Sequence, residues 1–373
     1  MKFFIVDTAS TECLRWIYSH KEGLASGSYR EQADAVGRDV TGLRRIYAAN
    51  LRRLGHEAWA VCANNEFRQK AWARENGLTL KSDLRWEFRL RRGIVPWVSF
   101  YRDRWLRDVL RAQIEQYRPD VVLNLDMCRF EPSFFAGVKQ HFGLLVGQHA
   151  ATRLPTHKDF GCYDLAVSSF PPTVEWLRRQ GLRAELVRLG FEPDVLSLLG
   201  PLRHPHEVTF VGSFAAVHSS RLALLEELCR RFPQLKVWAP GLNHVPADSA
   251  VRRGYVGRAW GLEMFRILAG SKITLNHHGD IPPYANNKRL YEATGVGALL
   301  LTDWKQNLSE MFEPGKEVAA YHSAAECAEL IEHYLAHDDE RAAVARAGQE
   351  RTLREHTYHR RMQDLLHLLE EGA

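Results

Sequence analysis

The chain has 373 residues, 45% of them apolar and 25% charged, with a formal net charge of +5. That length is more than one core usually serves and implies two domains, each of roughly 200 residues or fewer. The composition excludes fibrous and disordered classes, and the apolar runs fall far short of the roughly 20 residues that cross a bilayer.

In chain order, residues 3–6 (FFIV) read as a buried strand ending at Asp7, not as a signal peptide. A polar segment to about Gly37 follows, with Ser26-Gly27-Ser28 read as a mobile loop. Residues 41–54 are helical, with Leu43, Ile46, Tyr47, Leu51 and Leu54 recurring at three and four residues. Gly55 closes that helix, and residues 58–62 form the next strand.

Residues 81–118 carry ten Lys/Arg and five Asp/Glu, an excess equal to the net charge of the whole chain. Trp86, Phe88, Trp97, Phe100, Tyr101 and Trp105 are interleaved with them. Such a mixture fits an anionic membrane surface, a glycan acceptor or nucleic acid. The plainer reading is a pair of amphipathic helices that bury the rings and solvate the arginines. Nucleic acid is the weakest of these, because no recognised binding motif accompanies the charge.

Residues 121–125, 144–146 and 164–167 are apolar along their whole length and alternate with helical stretches such as 173–180. This implies a parallel sheet covered on both faces, whose ligands gather at the strands' carboxyl ends. Asp126 and His149 stand at such ends. The turn-rich residues 201–205 put a domain boundary near 190–205. The second half opens with a strand at 208–211 and the loop Gly212-Ser213-Phe214. Ser219 or Ser220 then caps a helix that bears Arg221. Strand and turn units follow at 236–241 and 255–257, then a helix at 262–269.

Residues 272–303, KITLNHHGDIPPYANNKRLYEATGVGALLLTD, organise this half. A short strand runs into His277, His278 and Gly279, and a loop holds Pro282 and Pro283. Asn286 and Asn287 stand where a helix begins, and that helix carries Lys288, Arg289 and Glu292. Gly295 and Gly297 stop it before an apolar strand. Strand, loop, helix start and strand is an arrangement that aims backbone N–H groups at a bound phosphate. Glu292, one turn inside the helix, is placed to receive sugar hydroxyls.

From ANNKRLYEATGVGALLLTD through LSEMFEPGKEVAAY to AAECAELIEHYLAHDDERAAVARAGQERTLREHTYHRRMQDLL, the chain resembles group 1 (CgeB-like) glycosyltransferases. The likeness covers residues 207–369 well and the first half loosely. The Asn-x-Arg-x-x-Glu run from Asn287 to Glu292 is its most specific piece. The resemblance implies an α/β GT-B fold, with two Rossmann-like parallel-sheet domains facing a cleft. Residues 1–190 would take the acceptor and 191–355 the nucleotide sugar. The tail, 356–373, would be a helix returning to the first domain.

Sugar transfer from a nucleotide requires a grip on a diphosphate whose charge grows as the glycosidic bond breaks, and an acceptor hydroxyl held for attack. No Asp-x-Asp occurs, so Arg, Lys and helix ends must meet that charge, with neither metal nor organic cofactor expected. Arg289 is the first choice for the diphosphate and Arg221, after the Gly212-Ser213 loop, the second; otherwise both are exposed helix arginines. Glu292 is the ribose carboxylate or an i, i+3 partner of Arg289. Asn287 is helix cap, phosphate contact or both. His277 and His278 touch the donor or are satisfied by loop backbone.

His149 suits a general base at neutral pH, with Asp126 replacing or orienting it. Many retaining family members carry a second Glu eight residues before the ribose Glu. Here that position is Tyr284, which leaves retention and inversion both open. Six cysteines without Cys-x-x-Cys spacing read as reduced thiols of a cytoplasmic enzyme, in peripheral contact with a membrane if residues 81–118 dock there. The expected partners are a nucleotide sugar and a glycan or small-molecule acceptor. The rival readings are a nucleotide-sugar epimerase of the same fold and a non-catalytic nucleotide or glycan binder.

Overall fold

The computed structural model describes residues 1–37, 42–80, 85–91, 95–101, 103–149, 159–201, 205–214, 219–280 and 283–371, with backbone alone at 36–37, 85–91 and 95–101. The chain divides into two compact units, residues 1–168 with 172–186, and residues 169–171 with 187–373.

Unit 1 runs β1 (Lys2–Asp7), α1 (Thr11–Ser19), α2 (Tyr29–Gly37), α3 (Leu43–Arg53), β2 (Glu57–Cys62), α4 (Glu66–Glu75), β3 (Arg85–Arg91) and β4 (Val95–Tyr101). It continues with α5 (Arg104–Tyr117), β5 (Val121–Asn124), α6 (Pro132–Ala136), β6 (Leu144–Gln148), β7 (Leu165–Ser168), α7 (Pro171–Arg179) and β8 (Ala184–Leu186). Six strands form a parallel sheet in the order β2-β1-β5-β6-β7-β8. All of β5 and β7 is buried, which is why neither shows the alternation of a half-exposed strand. α5 lays Leu106, Leu110 and Ile114 on a core shared with Phe4, Val122 and Leu145.

One expectation for this unit is extended and another corrected. The polar segment to Gly37, to which the sequence assigned no helix, contains α1 and α2. Ser10 caps α1 by accepting from the Cys13 amide at 3.1 Å. Ser28 and Glu31 form a reciprocal box at the start of α2, with Ser28 N–H donating to Glu31 (2.8 Å) and Glu31 N–H to Ser28 Oγ (3.2 Å). The basic-aromatic region is not a helix pair. β3 and β4 form an antiparallel two-stranded sheet that pairs Arg85 with Tyr101 and Arg91 with Val95, and among the described residues of the region only α5 is helical. RWEFRLR alternates strictly with period two, the strand signature. The side chains of Trp86, Phe88, Trp97, Phe100 and Tyr101, like Thr41 and residues 81–84, lie outside those described. Trp105 is buried in the core.

Unit 2 runs α8 (Asp194–Leu199), β9 (His206–Val211), α9 (Ser219–Arg231), β10 (Lys236–Trp238), α10 (Val251–Gly254), β11 (Tyr255–Gly257), α11 (Gly261–Ala269) and β12 (Ser271–Asn276). After these come α12 (Arg289–Gly295), β13 (Leu299–Asp303), β14 (Ala319–Tyr321), α13 (Ala324–Ala336), α14 (Asp338–Glu355) and α15 (Tyr358–Glu370). Its parallel sheet has the order β11-β10-β9-β12-β13-β14. Val208, Phe210, Ile273, Leu275, Leu299 and Leu301 build the core against α9 and α13.

Gly297, at φ +83°, ends α12. Gly295 is the helix's last residue, and its missing side chain makes room for the Phe191 ring. α15 is stitched to the start of the unit, with Tyr358 N–H donating to Phe191 O (2.9 Å) and Arg361 Nε–H to Leu189 O (3.1 Å). Among the described residues no helix is long and apolar enough to cross a membrane. All six cysteines are free thiols.

Candidate functional site

In unit 2 the chain leaves β9 toward β10 on one side and returns to β12 on the other. The carboxyl ends of β9 and β12 therefore flank a topological switch point, where open α/β sheets leave a ligand crevice. β9 passes into Gly212-Ser213 and β12 into His277-His278-Gly279. A Cβ at Gly212 would strike the Phe210 ring, so the loop follows the end of its strand closely only as glycine.

Arg221 joins the two loops. Its Nη1 donates to Ser213 O (2.8 Å), and its Nε and Nη2 donate to His277 O (3.2 and 2.7 Å). Burial pushes this guanidinium down to about 10, against the pull of Asp303 and other neighbours. Three of its N–H bonds thus serve the backbone. Arg289 does similar work from α12, donating from Nε to Val211 O (3.1 Å) while Nη1 pairs with Glu292 Oε2 at 2.8 Å. Burial lowers this guanidinium too, and Glu292 opposes the shift. Neither arginine is the exposed helix residue of the plainer reading; both fix the crevice walls and place positive charge there.

Asn287 caps α12 by accepting from Leu290 N–H (3.3 Å) and donates to Asn276 Oδ1 (2.8 Å). Asn276 in turn donates to Thr302 Oγ1 (2.9 Å), and Tyr321 OH donates to the Asn276 carbonyl (2.7 Å). The start of α12 is thereby tied to the ends of β12, β13 and β14.

The two histidines differ. His277 Nδ1 accepts from Gly279 N–H (2.9 Å), and burial lowers its pKa, so the neutral ring carries its proton on Nε2. His278 is almost wholly buried. Its amide and its Nδ1–H both donate to Asp303 Oδ1 (3.0 and 2.6 Å), and Lys305 Nζ stands 3.2 Å from Asp303 Oδ2. Burial alone would raise the Asp303 carboxyl, but the His278 hydrogen bond and the nearby positive charges hold it at about 2. Among the described residues His278 Nε2 has no hydrogen-bond partner.

The N-terminus of α9 corrects another expectation, since neither Ser219 nor Ser220 is the cap. They are its first two residues, and Asp280 takes their amides at 3.0 and 3.1 Å together with both hydroxyls. These bonds hold the Asp280 carboxyl well below the usual range. A carboxylate thus already sits where a helix end would receive an anion.

Gly212, Ser213, Arg221, His277, His278, Asn287, Arg289 and Glu292 therefore converge on one crevice. Asp303, Asp280, Asn276 and Lys305 belong there too and were not singled out from sequence. The available signal was Asp303 at the end of an all-apolar strand, the same cue that selected Asp126.

Asp126 and His149 lie in unit 1, each two positions beyond the paired residues Asn124 and Gly147. Asp126 Oδ2 accepts from Thr8 Oγ1 (2.5 Å), which joins the carboxyl ends of β1 and β5 at that unit's own switch point. His149 Nδ1 lies 3.4 Å from Cys128 Sγ, and its carbonyl accepts from Ser168 Oγ (2.5 Å). At this end of the unit opens a cavity of about 440 Å³ lined by Tyr18, Asn64, Phe67, Trp105 and Arg129, and neither Asp126 nor His149 is in its wall. Among the described residues no three His, Cys, Asp or Glu side chains are grouped to share a metal ion.

Residues 221–367 match the model of a family described as glycosyl transferase-like. No curated protein sequence matches the chain. Solved structures resemble it over its whole length. HepE from Anabaena, in complex with UDP and glucose, is 12% identical with a TM-score of 0.62, and 100% of each chain is covered. A glycosyltransferase from Rickettsia africae is 10% identical at 0.60, covering 100% of this chain and 98% of that one. Sucrose-phosphate synthase from Thermosynechococcus elongatus is 11% identical at 0.55, covering 100% and 99%. At these identities the likeness shows the fold, which is α/β of the GT-B type.

Proposed function

We propose that the chain is a metal-independent glycosyltransferase of the group 1 (CgeB-like) kind. It moves a hexosyl or related sugar from a nucleoside-diphosphate donor to a hydroxyl of a glycan, lipid-linked or small-molecule acceptor. The observation that carries this reading is the crevice between β9 and β12, where the Gly212-Ser213 loop, the Arg289–Glu292 pair and the His277 ring converge. The family match spans the same crevice from Arg221 onward. HepE has also been solved with UDP-glucose, which puts uridine donors first in any test.

In this scheme the backbone of Gly212-Ser213 approaches the diphosphate, and Arg221 and Arg289 supply positive potential from behind their committed bonds. Glu292 receives the ribose hydroxyls, and His277 offers Nε2–H to the departing phosphate or the sugar. The anomeric carbon loses its bond to the phosphate oxygen and gains one to the acceptor oxygen. The acceptor's proton passes to His149 or Asp126, at the carboxyl ends of the strands of unit 1. Free thiols at all six cysteines fit a reducing, cytoplasmic setting.

The test is a panel of nucleotide sugars with product analysis, with and without acceptor, in EDTA and in Mn²⁺. A new glycoside formed equally in EDTA is the expected result. Isomerised donor would indicate an epimerase, and binding without turnover a non-catalytic protein, a reading that Tyr284 in place of a second Glu favours. Activity that needs Mn²⁺ contradicts the metal-free mechanism.

A further inference from the structure

Four of the six free thiols are held back by burial. Cys62, Cys229 and Cys327 lie in the cores, and burial raises each above its ordinary value. Cys162 is half-buried and is pushed up to about 11 for the same reason. Of the two that remain, both half-buried, Cys128 stands against an imidazole, with its Sγ 3.4 Å from His149 Nδ1.

The main chain sets both partners. Cys128 is the third residue of the turn after β5, which Arg129 N–H closes by donating to Asp126 O (3.0 Å). Its neighbour Met127 is buried against β6, where a Cβ on Gly147 would come to 3.1 Å from Met127 Cε and 2.7 Å from the Tyr163 ring. His149 follows β6 directly. Its N–H donates to Val167 O (3.1 Å), and its carbonyl accepts from Ser168 Oγ (2.5 Å). The thiol and the ring therefore meet without either chain segment having to move.

The thiolate is the reactive form of cysteine, and a neighbouring imidazolium favours it. With Nδ1 as acceptor, the ring takes the thiol's proton and the two charges stay side by side. The other ionisable groups around them are engaged elsewhere. Asp126 accepts from Thr8 Oγ1 (2.5 Å), and Arg129 stands 3.9 Å from Asp103. Burial keeps the Tyr163 phenol well above its ordinary value, and its hydroxyl accepts from Asn124 (2.8 Å) and donates to Met127 O (3.3 Å).

We propose that Cys128 is a reactive thiol with His149 as its proton acceptor, and a site of reversible oxidation by peroxide. The thiolate attacks one peroxide oxygen, and the S–O bond forms as the O–O bond breaks. The leaving hydroxide takes the proton of the His149 imidazolium and departs as water. Sulfur gives up two electrons to the peroxide, which leaves Cys128 as a sulfenic acid. A low-molecular-weight thiol then displaces water to form a mixed disulfide, and a second such thiol releases Cys128 again. Neither step uses a nucleotide or a sugar, so the site stands apart from the donor crevice of unit 2. While the ring holds the thiol's proton, Asp126 is left to take the acceptor's.

The experiment is alkylation of the full chain by iodoacetamide between pH 6.5 and 8.5, read at each cysteine by peptide mass spectrometry. At pH 6.5 Cys128 should react at least tenfold faster than Cys162. Its rate should change little up to pH 8.5, whereas an ordinary thiol gains about tenfold per pH unit over that range. His149→Gln should slow Cys128 tenfold or more at pH 6.5 and leave Cys162 as it was. Hydrogen peroxide should give a dimedone-reactive sulfenic acid at Cys128 in preference to Cys162, and glutathione should turn it into a mixed disulfide that dithiothreitol reverses. A Cys128 rate that climbs tenfold per pH unit, or no dimedone adduct there, would overturn the proposal. Both readouts use the parent chain and stand even where the Gln variant does not fold. Unchanged Cys128 reactivity in a folded Gln variant would overturn it as well.

Discussion

Replacing Arg221 by alanine separates two roles that sequence alone could not. As a ligand of the diphosphate, Arg221 would matter only when nucleotide is bound. As the fork between Ser213 O and His277 O, it matters in the empty protein. Its loss strands two carbonyls at about 1–3 kcal/mol each, or roughly 2–6 kcal/mol together. Against this, the buried cation goes. The shift from 12.5 to about 10 corresponds to an offset on the order of 3 kcal/mol. The net loss is about 1 kcal/mol, and a unit of this size should melt roughly 2–4 °C lower. Calorimetry on ligand-free protein measures this directly, and a UDP titration follows. Lysine at 221 keeps the charge but not the fork, and should recover little of the stability. An unchanged melting temperature with sharply weaker UDP binding would refute the tie and restore Arg221 as a direct phosphate ligand.

Other expectations follow from neighbouring geometry. His356 donates from Nε2 to Met311 O (2.8 Å) and accepts at Nδ1 from Arg361 (2.9 Å), and burial, with Arg361 adding to it, depresses its pKa to about 4. Between pH 6.5 and 4 the unfolded chain takes up a proton that the native ring refuses. Stability is therefore full above pH 6.5 and falls by on the order of 3 kcal/mol toward pH 4. Urea titrations across that range should show the slope, and His356→Gln, which keeps one donor and one acceptor, should flatten it.

Gly295→Ala would bring a Cβ to 2.5–2.6 Å from the buried Phe191 ring. It should cost about 1–3 kcal/mol, read as a lower urea midpoint, and equal or higher stability would contradict the packing. Asp280→Ala removes a carboxylate from the α9 end, costing about 1 kcal/mol of cap stability while freeing its donors. UDP should bind at least as tightly as before, and a tenfold loss in calorimetry would show that Asp280 supports the ligand site instead.

What the sequence made legible was whatever is local. The apolar runs at 121–125, 208–211 and 298–301 mark buried parallel strands because both faces are covered. The Asn287–Glu292 run marks the crevice because its spacing on one helix turn is fixed by the chain itself. Local signals were also overlooked, namely the Ser28–Glu31 box and the period-two alternation of RWEFRLR, where basic charge drew the reading toward helices. The rest was not local. His278 meets Asp303 across 25 positions and Asp280 meets Ser219 across 61. Such pairs exist only once β9, β12 and β13 lie side by side. The same holds for Arg221, whose partners are backbone carbonyls that no side-chain pattern reveals.

The most direct measurement is a crystal of the full chain soaked with UDP. The diphosphate should lie against Gly212-Ser213 at the carboxyl end of β9, with the ribose hydroxyls on Glu292 and no ion bridging the phosphates. Ordered UDP anywhere else in the molecule, phosphates held through a metal, or an empty crevice at saturating ligand would contradict it.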